Sequence, residues 1–378
     1  MMKTIIQRQL KNIIDKYFFQ GKIIIIYGAR QVGKTTLIKS LINNSGKNTI
    51  FLNCDDPTVV DTLTNISLYE IELLIGNKTN IFIDEAQRIK NIGLTLKLLV
   101  DNFPEKQIVV SGSSAFDLAN EINEPLTGRK YELMLTPISV SEIINHTDYL
   151  SLKSSLKHRI VYGMYPEVVM KHEKVKKILL DLSSSYLYKD IFTWQRIRKP
   201  EIIQKLLKAL ALQIGSEVSY NEISNMLGIS KDTVASYIQL LEQTFVIFRL
   251  SSFSRNLRTE LKHKNKIYFW DTGIRNALLN NFLPFDDRQD KGSLWENYII
   301  AERIKFNLNN NINANYYFWR THQQQEIDFI EEIENSIRAY EIKWNANKKV
   351  RIPKKFTENY PEIPVNIINS KNFFEFLI

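Results

Sequence analysis

The sequence predicts an α/β fold built on a parallel sheet, followed by a helical segment and a second strand-containing region. Three observations predict it. Ile23 to Tyr27 form a short apolar run of the kind that becomes a buried parallel strand, with glycine punctuation straight after it. A helical apolar stripe begins behind that loop at Leu37, Ile38 and Leu41. Further short apolar runs, Ile81 to Asp84 and Gln107 to Val110, each end in a polar loop.

The loop after the first run matches G-x-x-x-x-G-K-[ST], with Gly28, Gly33, Lys34 and Thr35 in the fixed places. Two glycines let the backbone wrap closely enough for consecutive N–H groups to face phosphate oxygens, and the following helix directs its positive end at the same anion. Lys34 is placed to reach the β- and γ-phosphates, and the Thr35 hydroxyl to ligate a Mg2+ that bridges them. Gly28, Ala29, Arg30, Gln31, Val32, Gly33, Lys34, Thr35 and Thr36 are therefore the expected nucleotide-binding residues. A glycine turn that merely precedes a helix is the bland alternative, and strand, loop and helix in register argue against it.

A chain of 378 residues has room for two or three domains, and 44% hydrophobic with 24% charged residues fits a globular protein with a sizeable core. The one cysteine, Cys54, excludes an internal disulfide and fits a reducing cytosol. The first twenty residues mix Lys3, Arg8, Lys11, Asp15 and Lys16 among apolar positions and do not read as a signal peptide. No uncharged run approaches membrane-spanning length, so a cytoplasmic protein without a membrane partner is expected. The net charge of +9 is confined to one segment. Residues 146–284 carry 21 Lys and Arg against 12 Asp and Glu, whereas residues 1–145 carry 16 against 15 and residues 285–378 carry 13 against 14. A basic surface serves solubility in general, but confinement of this kind suggests a polyanionic partner for the middle segment.

In chain order, residues 4–18 read as an amphipathic helix, with Ile5, Ile6, Leu10, Ile13, Ile14, Tyr17 and Phe18 on its apolar positions. A second strand spans residues 49–52, Asp55-Asp56-Pro57 breaks it, and a helical stretch runs to about Gly76. The run ending in Asp84-Glu85 supplies two carboxylates that are costly to bury without a cation nearby. Asp84 suits magnesium held through water, and Glu85 is placed to polarise an attacking water. Asn77-Lys78-Thr79-Asn80 lacks the aspartate of a guanine-reading N-K-x-D motif, so adenine is the expected base. In Ser111-Gly112-Ser113-Ser114, a hydroxyl of Ser111 or Ser113 is placed to report on the γ-phosphate, and Ser113 serves equally well as a helix cap. A strand over residues 131–135 closes the sheet. Arg129 before it is either a surface residue or a finger that a neighbouring subunit of a homo-oligomer donates to the γ-phosphate.

Residues 146–215 read as helices, with a basic cluster at Arg196, Arg198 and Lys199. Ser219 and Glu222 form a capping box, Gly228 turns the chain, and a second helix begins at Ser230. Its inward positions are Val234, Ile238 and Leu241, leaving Lys231, Thr233, Ser236, Tyr237 and Gln239 outward in the layout of a recognition helix. Two β-prone runs, Phe245 to Leu250 and Lys266 to Trp270, flank Arg255, Arg258, Lys262 and Lys264, giving a winged helix with a basic wing. Winged helices bind proteins as well as DNA, and the charge favours nucleic acid, chiefly through phosphate contacts.

In the last segment, a helix from Leu294 to about Phe306 carries Glu296 in its first turn. Residues 326–330 read as a strand, residues 331–336 as its turn and residues 337–344 as the return strand. Glu341 and Lys343, two apart, share one face while Tyr340 and Ile342 face the core. Convergence of both with Asp328 would give an arrangement that binds a divalent metal and activates water for phosphodiester cleavage. A solvated Glu341–Lys343 pair is the plain alternative.

The order of motifs, from the phosphate loop through the Asp-Glu strand, the Ser-Gly-Ser strand and Gly-Arg to LTPISVSE, resembles bacterial and archaeal AAA+-type ATPases. These join an ATPase to a winged helix and a domain similar to PD-(D/E)XK nucleases. The likeness extends to Gly163-Met164-Tyr165-Pro166-Glu167 and Tyr188-Lys189-Asp190. Archaeal replication-initiator ATPases are similar over the first two domains. The resemblance implies an α/β parallel P-loop ATPase sheet of order 5-1-4-3-2. It also implies Glu296, Asp328 and Glu341 as metal ligands, with Lys343 as the catalytic partner. The expected domains are an ATPase over residues 1–145, a helical lid or linker over 146–215, a winged helix over 216–284 and a nuclease-like domain over 285–378. The expected function is ATP hydrolysis with Mg2+ that controls engagement with DNA. An ATP-dependent switch for a protein partner, with an inactive last domain, is the alternative.

Overall fold

The computed structural model describes all residues except 1–4, 47, 114–125, 172, 187–199 and 255–264. Tyr188-Lys189-Asp190, the cluster Arg196, Arg198 and Lys199, and the wing residues Arg255, Arg258, Lys262 and Lys264 all lie outside the described residues. The chain forms two compact units, residues 1–137 with 243–245, and residues 138–242 with 246–378.

In the first unit, β1 (Ile23–Tyr27), β2 (Thr49–Asn53), β3 (Asn80–Asp84), β4 (Gln107–Gly112) and β5 (Lys130–Met134) form one sheet in the order β2-β3-β4-β1-β5. Every pairing in it is parallel, as the apolar runs imply, and the order is the expected one. Ile23 to Ile26 are fully buried, so both faces of β1 are covered and no alternation is needed. Asp56 caps Pro57–Leu63, and Ser67 makes a full capping box with Glu70 before Leu68–Ile75. The first helix is shorter than its pattern suggests, spanning Leu10–Tyr17 with Ile5 exposed. Arg8, ahead of that helix, donates to the carbonyls of Val32 at 2.7 Å and Thr136 at 2.6 Å.

The second unit begins with helices that include Val140–His146, Tyr149–Tyr162 and Pro200–Leu212. Its sheet contains β6 (Glu217–Val218), β7 (Ile247–Ser252), β8 (Asn265–Phe269), β9 (Ala314–Arg320), β10 (Glu326–Ile333), β11 (Ser336–Ile342) and β12 (Val365–Ile368). The order is β12-β11-β10-β9-β7-β8-β6. A short parallel pairing, Ser251 with Tyr317 and Ser252 with Phe318, joins the strands read as a wing to those read as the last domain. Residues 138–378 thus share a sheet across the expected boundary at 284/285.

Two expectations change here. Tyr237 is buried, because the inner face of Lys231–Gln243 takes Val234, Tyr237, Ile238, Leu240 and Leu241 and is wider than three residues. Glu331 is not in a turn. It extends β10, is buried, and accepts both nitrogens of the Arg303 fork at 2.9 and 2.8 Å.

Candidate functional site

The phosphate loop runs from the end of β1 into Lys34–Ser45. A Cβ on Gly28 would meet the Leu135 carbonyl oxygen at 2.2 Å, so no other residue fits there. Gly33, at φ +100°, opens the helix from the left-handed region. Lys34 is buried, and its ammonium donates to the carbonyls of Gly28 at 2.8 Å and Ala29 at 3.0 Å, curling the loop around a positive charge. Arg8 braces the same loop through Val32, a contact with no local signal in the sequence.

Asp84, buried at the end of β3, is gripped from both sides. The Thr35 hydroxyl donates to its Oδ2 at 2.7 Å and the Ser111 hydroxyl donates to its Oδ1. Ser111 Oγ also accepts the Glu85 N–H at 3.2 Å. Glu85 sits at φ +57°, a conformation that costs a non-glycine residue roughly 1–2 kcal/mol and aims this N–H at Ser111. Its Oε2 accepts from Gln87 Nε2 at 2.6 Å, and the same nitrogen donates to Ser113 Oγ at 2.9 Å. Gln87 is the residue here that motif reading missed; its place two after Glu85 on a three-residue helical turn was the available signal. Cys54 lies beside this cluster, and burial first, then Asp84 and Glu85, push its thiol up to about 12, so it stays protonated.

Arg129 immediately precedes β5, and its carbonyl accepts the Ile23 N–H at 2.9 Å. That is the opposite end of the sheet from the phosphate loop, roughly 16 Å away by the rise of five strand residues. The side chain pairs with Asp101 at 2.5 Å and makes no contribution to its own chain's loop.

In the second unit, Asp328 and Glu341 stand one step beyond the Phe329–Tyr340 pair of β10 and β11. A register shift between Ile327 and Ile330 along β9 marks an irregularity in the strand at Asp328. Lys343 Nζ lies 2.5 Å from Asp328 Oδ2 and 3.0 Å from Glu341 Oε2, and the Ile342 N–H donates to Asp328 Oδ2 at 2.8 Å. The three side chains therefore meet at one place. Burial first, then Asp328, pushes Glu341 up to about 7, while Lys343 opposes that rise.

Glu296, on Lys291–Asn309, lies behind them. Its Oε1 accepts from the Tyr268 hydroxyl at 2.7 Å and from Lys266 Nζ at 3.3 Å. Burial likewise pushes it up to about 7. Lys266, read from sequence as the start of a wing strand, is fully buried and also donates to Glu326. Carboxylate oxygens of Glu296, Glu326 and Asp328 all lie within 4.8 Å of one another. Glu326, two before Asp328 on the same strand and hence on its face, was legible by the same period-two argument as Glu341 and Lys343. A cleft of about 620 Å³ opens over Glu326, Asp328, Glu341 and Lys343, and its rim includes Lys348, Lys349, Arg351 and Lys354.

Both sites suit the groups their chemistry calls for. A glycine cradle with a buried ammonium fits a phosphate chain, and paired carboxylates beside a lysine fit one hard divalent cation.

A family model described as an AAA domain matches residues 20–144. Residues 20–144 carry a P-loop ATPase fold and are similar to AAA domains. Two further family models, each described as a domain of unknown function, match residues 153–284 and 291–374. An uncharacterized protein of Methanocaldococcus jannaschii is 27% identical over 95% of this chain and 83% of its own length. An uncharacterized protein of Mycobacterium tuberculosis is 26% identical over 88% of this chain and 72% of its own. Among solved structures, a Walker-type ATPase of Pyrococcus abyssi shares the fold with a TM-score of 0.52 at 13% identity, covering 74% of this chain and 97% of that one. No helix among the described residues is long and apolar enough to cross a membrane.

Proposed function

We propose that the protein binds and hydrolyses ATP with Mg2+ and uses its nucleotide state to control engagement with DNA through the basic middle segment and the acidic cleft. The ATPase reading is carried by the hydrogen-bond chain from Thr35 through Asp84 and Ser111 to Glu85, which groups a hydroxyl, a cation-seeking carboxylate and a second carboxylate beside the phosphate loop. When bound, Mg2+ neutralises charge on the β- and γ-phosphates, and Thr35 and Asp84 are the residues that would hold it. Lys34 exchanges the Gly28 and Ala29 carbonyls for phosphate oxygens. Glu85 orients the attacking water and takes its proton, with Gln87 fixing one carboxylate oxygen and leaving the other for that work. Ser113, tied to the same Gln87 nitrogen, is the hydroxyl suited to report on the γ-phosphate through Glu85.

The DNA reading is supported by the cleft, which combines carboxylates with four cations, Lys348, Lys349, Arg351 and Lys354, of the kind that pair with phosphates. Asp328 and Glu341, which line it, would be the ligands of a divalent cation there, and Lys343, paired with both, would serve the attacking water. Turnover of purified protein with and without duplex DNA tests the link. DNA is expected to raise turnover several-fold, with the effect falling steeply as salt rises. Equal turnover at every salt concentration refutes it.

A second reading, a switch for a protein partner, is favoured by the lysines that already neutralise the carboxylates. Mn2+-dependent nicking of plasmid DNA, lost in Asp328→Asn, separates the two; a cleavage rate no greater than background favours the switch.

Arg129 is proposed as a finger donated to a neighbouring subunit. Arg129→Ala should keep ATP binding and lose turnover by roughly a thousandfold or more. Mixing it with Glu85→Gln should restore part of the activity, since some shared interfaces then combine an intact Glu85 with an intact Arg129. A strictly monomeric protein with undiminished Arg129→Ala turnover removes the finger.

A further inference from the structure

We propose that Lys266 is a resident cation in the acidic cluster, so that the cleft takes a single divalent ion between Asp328 and Glu341 and Glu296 is not a ligand of it. The inference rests on reading that cleft as a metal site and concerns how many ions it accepts.

Lys266 reaches the cluster from β8, with its ammonium 5.4 Å from the centre of the Phe318 ring, and it is fully buried. Its ammonium pairs with Glu296 Oε1 at 3.3 Å and with Glu326 Oε1. Glu296 Oε1 also takes the Tyr268 hydroxyl, and Glu326 Oε2 faces Arg320 Nε at 3.5 Å. The carboxylates at the rear of the cluster thus carry cations from the chain itself. A buried ammonium needs such anionic partners, and Glu296 and Glu326 supply them directly.

Geometry completes the case. Glu296, Glu326 and Asp328 offer oxygens within 4.8 Å of one another, close enough in principle for an ion with ligands at about 2.0–2.6 Å. An ion there would share two of its three carboxylates with an ammonium that is sealed in place. The cleft, by contrast, is lined by Glu326, Asp328, Glu341 and Lys343 and by neither Glu296 nor Lys266; Lys343 also pairs with Asp328 and Glu341, but its side chain is 31% exposed and lies in the cleft, so it can turn aside for an incoming ion where the sealed Lys266 cannot. An ion arriving from solvent therefore meets Asp328 and Glu341 first, with Lys266 filling the position where a second ion would sit.

The test counts bound Mn2+ per chain by the loss of the free-ion electron paramagnetic resonance signal, using the full chain. Wild type is expected to bind one ion, lost in Asp328→Asn. Lys266→Gln, which leaves a neutral amide donor one bond shorter in place of the charge, is expected to bind two. Lys266→Met serves the same purpose with a different shape. One ion in both wild type and the Lys266 variants overturns the inference and leaves the metal reading intact, as do two ions in wild type. No ion in wild type but one in Lys266→Gln overturns the Asp328–Glu341 metal reading and upholds Lys266 as the resident cation. No ion in any of them overturns both. If neither Lys266 variant folds, Glu296→Gln decides: affinity for the single ion within about threefold of wild type is expected, and a loss of a hundredfold marks Glu296 as a ligand and overturns the inference.

Discussion

Lys34→Ala is expected to weaken ATP binding by roughly two to three orders of magnitude. A phosphate oxygen about 4 Å from the ammonium in a partly buried site contributes on the order of 4 kcal/mol, and each 1.4 kcal/mol is about tenfold in affinity. The loop is hurt as well as the charge, because the Gly28 and Ala29 carbonyls lose the donor that draws them together. Calorimetric titration with ATP and Mg2+ measures the loss directly. Affinity within threefold of wild type would overturn the phosphate-loop assignment, and a melting curve shows whether the variant is folded.

Glu85→Gln is expected to bind ATP as wild type does and to hydrolyse it at least about a hundredfold more slowly, the size expected for losing a positioned general base. Glutamine has the same shape, and its amide oxygen still accepts from Gln87, so the backbone bond to Ser111 and the left-handed turn stay in place. The change removes a charge and a proton acceptor and little else. Phosphate release under saturating ATP reads the effect. Turnover within a few-fold of wild type would move the catalytic base to another residue.

The ATPase half was legible because its information is local. An apolar pentapeptide, a glycine loop and a helical stripe lie within twenty residues of one another, and a strand that is buried on both faces admits few alternatives. Thr35, Asp84 and Ser111 each end or follow a strand of that sheet, so parallel pairing brings them together without further instruction. Arg8 was not legible, since an arginine in an apolar segment gives no hint that it reaches two carbonyls as far off in sequence as Val32 and Thr136.

In the second half, β10 and β11 were legible as a hairpin, and with them Asp328, Glu341 and Lys343. The partners from far away were not. β9 carries aromatic residues on both faces and shows no alternation to mark it, although it sits at the centre of the sheet. Lys266 read as part of a basic wing because a lysine at the start of a strand is ordinarily solvated; its acidic partners come from residues 30 and 60 positions later. Glu331 read as turn for a similar reason, its Arg303 partner lying on another element. Charge in sequence shows that a partner is needed, and only the fold shows which one is within reach.

Because β7 and β9 share a hydrogen-bond ladder, residues 138–242 and 246–378 fold around one sheet and cannot be cut apart without opening it. A break near residue 285 leaves an open row of N–H and C=O groups on each fragment, and such rows recruit other chains. Recombination that exchanged only the last segment would have to supply a matching strand edge as well as a matching cleft.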